Sequence, residues 1–167
     1  ISDRASDSLH LVFNTDVGRA YLAHHKNLPA ELVSSLENFG LSSIANVLAA
    51  IKTSRRLGLG PDDAIVTVAT DGHELYKSEI GKAVEKHFGG RFDELAAARA
   101  VGEHLDTADT DHLMELTKRD QDRIFNLGYF TWVEQQGVSV EEFAARRHQS
   151  YWRGLRDLLP VWDEMIR

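Results

Sequence analysis

Apolar residues recur at three- and four-residue spacing over most of the chain, which is the signature of amphipathic helices. Leu9, Val12, Phe13, Val17, Ala20 and Tyr21 fall on one face across residues 1–27. Asn14-Thr15-Asp16 is a point where this stretch can divide into two helices. Pro29 suits the first turn of another, with Leu32, Val33 and Leu36 inward. After Gly40, a stripe of Ile44, Val47, Leu48 and Ile51 predicts a helix that Gly58 and Gly60 end. Lys52, Arg55 and Arg56 lie toward its last turn, where cations suit the helix dipole. Asp71 with Glu74 has the spacing of a capping box, opening a helix through Leu75, Ile80, Val84 and Phe88. Residues 92–108 are weakly helical. A long helical stretch from Thr110 to about Gln136 puts Leu113, Leu116, Ile124, Leu127 and Phe130 inward. Ser139 with Glu142 caps a last helix carrying Phe143, Trp152, Leu155, Leu159 and Trp162.

One segment breaks the period. Ala64–Ala69 (AIVTVA) is short, rich in β-branched residues and uncharged, which suits a strand buried on both faces. A lone buried strand needs neighbours for its backbone donors and acceptors. No other segment reads strongly enough to supply them. The expected fold is therefore α/β and mostly helical, its short parallel-type strand part of a larger three-layer αβα sheet. The missing neighbours are expected on polypeptide outside this sequence. The chain begins at Ile1, which fits a processed chain, a trimmed one or a fragment equally well.

Composition narrows the function. The 167 residues carry 26 acidic and 19 basic side chains, a net charge of -7. That balance argues against a nucleic-acid partner or an anionic membrane surface, both of which need a basic face. No apolar run approaches a membrane span. Zero cysteines exclude disulfides, thiolate metal sites and a cysteine nucleophile. A cytoplasmic location is expected.

Two motifs can carry chemistry. Gly40-Leu41-Ser42-Ser43 opens a helix with a glycine for close approach and serines that cap or meet a ligand. Thr70-Asp71-Gly72 follows the apolar segment, with Glu74, Tyr76 and Ser78 beyond. Asp71 serves as a helix cap, a ligand contact, or both. Together the motifs resemble the C-terminal part of the fold-type II pyridoxal phosphate enzymes, the cysteine synthase-like family. Gly40–Ser43 is similar to that family's Gly-Ile-Ser-Ser-Gly turn. Asp71, Glu74, Tyr76 and Ser78 match its Pro-Asp-Ser-Gly-Glu-Arg-Tyr-Leu-Ser string in place. The family's proline is Thr70 here, and its serine, which commonly faces the pyridine nitrogen, is Gly72. Thr70 or Asp71 takes that role by a shift of one or two residues.

The resemblance is clearest over residues 1–90 and implies the C-terminal part of a cofactor-binding α/β domain, with 91–167 a helical extension. It implies a lyase or transferase acting on an amino acid by β-elimination or β-replacement. Thr70, Asp71, Gly72, Gly40, Ser42 and Ser43 would contact pyridoxal phosphate. The family's Schiff-base lysine and glycine-rich phosphate loop have no counterpart, so no catalytic residue is assigned and activity is expected only with the remaining N-terminal part or a second polypeptide. An oligomer is expected.

Two other readings stand beside this one. A non-enzymatic helical interaction or subunit protein would use the long helices and Trp132, Trp152 and Trp162 as an interface. His104, Asp109, Asp111 and His112 are the nearest approach to a metal cluster, although no His-x-x-x-His spacing occurs and no metal ligand is assigned. Arg146 and Arg147 are expected to pair with Glu141 and Glu142.

Overall fold

The computed structural model describes residues 1–167 and divides them into two compact units, Ile1–Leu113 and Met114–Arg167. In the first, α1 (Asp3–Asn14) and α2 (Asp16–His25) share one hinge residue. The Thr15 hydroxyl donates to the Leu11 carbonyl at 2.7 Å and accepts the Gly18 N–H at 3.1 Å, closing one helix and opening the next. Gly18 is there because α2 passes against the α1 backbone: a Cβ would stand 2.2 Å from the Val12 carbonyl oxygen.

α1 is the centre of this unit. Ser8 through Phe13 are all buried, so the helix is covered all round rather than on one stripe. Around it pack α2, α4 (Leu41–Leu57), α5 (Lys77–Phe88) and α6 (Glu94–Val101), with α3 (Ala30–Ser35) against α2. Ile44 and Leu48 of α4 and Ala100 and Val101 of α6 join Leu9 and Val12 in the core. Val17, Ala20 and Leu32, expected inward, are exposed instead, because α1 takes the central place and leaves α2 and α3 at the periphery.

The expected α/β architecture is corrected: the protein is all-α, with no strand and no sheet. Residues 64–70 are irregular chain on the surface, with Val66 96 % and Val68 66 % exposed. The physical reason is that β-propensity describes fit to a half-buried pleated surface, and a strand exists only through its ladder. With no second strand in the chain, the Val68 carbonyl takes a side-chain donor, Asn46 Nδ2, at 3.0 Å. The helix start expected at Asp71 also moves. A tight turn of helix, His73–Tyr76, leads into α5, and its cap position is Gly72.

In the second unit a reciprocal cap opens α7 (Lys118–Tyr129): Thr117 accepts the Asp120 N–H, and Asp120 accepts the Thr117 N–H. A wider, π-type turn over Phe130–Gln135 continues it. The single helix expected after Ser139 is three short ones, α8 (Val140–Ala145), α9 (Gln149–Arg156) and α10 (Leu159–Ile166). Phe143 is buried, against Phe125 and Tyr129, while Ile124, Leu127, Phe130, Trp152 and Trp162 are exposed rather than core. Arg146 pairs with Glu142 as expected, and its guanidinium lies 4.1 Å over Trp132. Arg147 pairs instead with Asp122 and covers Phe125. No helix is long and apolar enough to cross a membrane.

Candidate functional site

The head of α4 and the turn at residues 70–72 meet. The Gly40 N–H donates to the Asp71 carbonyl at 2.8 Å, and the Thr70 N–H donates to Ser43 Oγ at 2.9 Å. The Ser43 and Thr70 hydroxyls are 3.5 Å apart. The approach is close enough to require glycine. A Cβ on Gly40 would lie 2.4 Å from the Asp71 carbonyl oxygen and 2.5 Å from the Tyr76 ring. Gly72 rests on the Glu37 carbonyl, where a Cβ would be 3.4 Å away.

The six sequence-predicted residues thus fall at one junction with different exposures. Gly40 and Ser43 are buried, Gly72 is half-buried, and Ser42, Thr70 and Asp71 are exposed. Ser43 does not cap its own helix; the cap residue is Gly40 and has no side chain to bond. Asp71 does not cap either. Its Oδ2 accepts the Tyr76 hydroxyl at 3.4 Å. Ser42 lines a shallow pocket of about 390 Å³ with Asp7, Glu79 and Lys86.

Behind the junction lies a pair that the sequence reading did not single out. His10 of α1 and His73 face each other, Nε2 to Nδ1, at 3.0 Å. His10 is 0 % and His73 8 % exposed. Burial, then the neighbouring His73, lowers the His10 pKa to about 4; burial, then Lys77, lowers that of His73. A histidine inside the apolar run Leu9–Phe13 was the available signal.

All six lysines are held by carboxylates. Lys26 pairs with Asp106, Lys52 with Asp109, Lys77 with Glu74, Lys82 with Glu79, Lys86 with Asp7 and Lys118 with Asp122. A Schiff-base lysine needs a depressed pKa from burial or a like charge. Lys26 moves the other way, raised by its hydrogen bond to Asp106.

The loop with Asp109 and Asp111 is filled by a cation of the chain itself. Lys52 Nζ donates to the carbonyls of Asp109 and Asp111, both at 3.0 Å, and to Asp109 Oδ1 at 3.2 Å. The Asp111 N–H bond, then Lys52, holds the Asp109 carboxyl below the usual range. No three His, Cys, Asp or Glu side chains are grouped to hold a metal ion. Beside this loop a cavity of about 490 Å³ is lined by Leu48, Lys52, Glu103, His104, Asp109 and His112, among others.

Comparison with family models, with curated proteins and with solved structures gave no match.

Proposed function

We propose that this chain supplies the pyridine-ring wall of a pyridoxal phosphate-dependent lyase or transferase that acts on an amino acid by β-elimination or β-replacement. One observation carries the reading: Gly40–Ser43 and Thr70–Gly72, about thirty residues apart, are tied together by the Gly40–Asp71 and Thr70–Ser43 hydrogen bonds. Two of the residues suit one edge of the cofactor, its ring nitrogen. Thr70 and Asp71 offer an exposed hydroxyl and an exposed carboxylate at the junction, while the close faces of Gly40 and Gly72 are taken by Asp71, Tyr76 and Glu37. They do not fit the phosphate or the aldehyde, since each lysine is neutralised by a carboxylate. Those contacts belong, in this reading, to an N-terminal part of the enzyme or a second polypeptide, in a cytoplasmic oligomer.

When bound, the cofactor supplies an electron sink for the carbanion at the amino-acid α-carbon. The contact at its ring nitrogen sets the strength of that sink. A Thr70 hydroxyl would donate to an unprotonated nitrogen, whereas an Asp71 carboxylate would favour the protonated one by opposite charge. The Tyr76 hydroxyl, bonded to Asp71, orients that carboxylate.

The test is a titration of the 15N-labelled chain with pyridoxal phosphate, followed by borohydride reduction. The amides of Gly40–Ser43 and Thr70–Gly72 are expected to shift together, and no lysine is expected to be labelled stoichiometrically. Amides that stay still, or one lysine fixed at unit stoichiometry, overturn the assignment.

A second reading, a helical interaction protein, is favoured by the exposed Leu127, Phe130, Trp132 and Trp162 of the second unit. Blue-shifted tryptophan emission on adding a partner, with no response to pyridoxal phosphate, supports it.

A further inference from the structure

The His10–His73 contact has a definite proton inventory. Two neutral imidazoles bring two ring protons, and one bridges Nε2 of His10 and Nδ1 of His73. The other nitrogen of His10, Nδ1, is buried without a partner. If His73 donated, that orphaned Nδ1 would carry a proton with no acceptor. If His10 donates through Nε2–H, the orphan is a lone pair. A buried donor without an acceptor is the rarer and costlier omission, so His10 is the donor and His73 the acceptor.

A third proton finds no good position. On His10 Nδ1 it makes a buried cation with no hydrogen-bond partner. On His73 Nδ1 it sets two N–H groups against each other and destroys the bond. The carboxylates that favour a proton here are outweighed by burial, and each already has a partner of its own. Asp7 of α1 and Glu79 of α5 act on His10, while Glu74, Glu37 of the 36–38 turn, Lys77 of α5 and Arg19 of α2 act on His73. Asp7 is bonded to His87 at 2.9 Å and paired with Lys86. Glu79 is held by Lys82, Glu74 by Lys77, and Glu37 lies 3.9 Å from Arg19.

The pair also has something to hold. His73 opens the turn that follows Thr70–Gly72, and Tyr76 of the same turn meets the His10 ring edge-on at 6.2 Å. We propose that His10 and His73 form a proton-sensitive latch, which fastens the 70–76 turn to α1 while both rings are neutral and releases it when a proton enters the pair. The latch does not require the cofactor reading.

The sign follows from linkage. His10 has a folded pKa below its ordinary 6.5, so its contribution is complete above 6.5 and is lost as pH falls toward about 4. Amide hydrogen exchange of the whole chain, corrected for the intrinsic pH dependence, measures it. From 6.5 and about 4 for His10, residues 72–76 are expected to open roughly twentyfold more at pH 5 than at pH 7. The double variant H10Q/H73N places an amide N–H where Nε2–H stands and a carbonyl where Nδ1 stands, keeping the bond without its titration. In it, the opening is expected to be flat with pH. Flat protection in the unmodified chain, or full pH dependence in the variant, overturns the latch. Should the variant fail to fold, imidazole 15N shifts of the unmodified chain decide. His10 as the neutral Nε2–H form down to pH 5 supports the latch, and His10 titrating near 6.5 refutes it.

Discussion

At the scale of single residues, the junction is set by what is absent from a side chain as much as by what is present. Gly40 lies where a Cβ would come within 2.4 Å of the Asp71 carbonyl oxygen. A G40A substitution must push the 70–72 turn away, with a cost of about 1–3 kcal/mol from overpacking. Gly81 is the control. It sits within α5, is exposed, and a Cβ there meets nothing within 4 Å. G81A is expected to stabilise by about 0.5–1 kcal/mol through helix propensity. Urea unfolding midpoints of the two variants should therefore move in opposite directions, and a neutral G40A would mean that the turn is not held against α4. Ser43 belongs to the same junction. It is 1 % exposed and accepts the Thr70 N–H, so S43A is expected to cost about 1 kcal/mol. Gly40 and Ser43 stood out in the sequence as ligand contacts because glycine and serine carry local chemistry, but their tie to the 70–72 turn depends on a segment about thirty residues away. His10 was not, because a histidine in an apolar helix gives no sign of what it faces 63 residues away.

At the scale of elements, what could be read was what local rules determine. The α1–α2 break at Asn14-Thr15-Asp16, the glycine stop of α4 at Gly58 and the Ser139 cap of α8 each depend on residues within one turn. Ala64–Ala69 could not be settled that way, since a strand depends on hydrogen bonds to a distant segment and its composition is silent on whether one exists. The break between α8 and α9 was hidden for a related reason, whereas Pro160 in the first turn of α10 marks the break before it. Residues 146–148 (Arg-Arg-His) hold no proline or glycine to mark a stop, yet the backbone there tightens, with His148 N–H bonded to the Ala145 carbonyl at 3.0 Å. The surface position of Val66 gives a direct check. V66K places a charge on a side chain that is 96 % exposed, so thermal stability should change by no more than about 0.5 kcal/mol. Aggregation on heating should decrease, because Ala64–Ala69 is an uncharged, β-branched six-residue segment free of proline and glycine. A collapse of the thermal midpoint in V66K would instead mean that this segment is buried.

At the scale of the whole molecule, the apolar core is unevenly shared. The first unit encloses Leu9, Val12, Ile44, Leu48 and Val101 at 2 % exposure or less, whereas Phe143 is the one buried residue of Met114–Arg167. Burial of apolar area is the main favourable term in folding, so the second unit is expected to unfold at lower urea concentration. The sequence itself provides the probe. Trp132, Trp152 and Trp162, all the tryptophans of the chain, lie in the second unit. Tryptophan emission should report its unfolding alone, ahead of the amide protection of Ser8–Phe13 in α1. Non-coincident curves from two probes are the mark of a chain that is not two-state. Two truncations then assign the steps. F143A removes the ring packed on Phe125 and Tyr129 and should shift the tryptophan transition while leaving α1 protection in place. L48A opens a cavity beside α1, costs about 2–5 kcal/mol, and should lower α1 protection without moving the tryptophan curve. If either substitution displaces both curves equally, the two units fold as one cooperative body, and the division at Leu113 is geometric without being energetic.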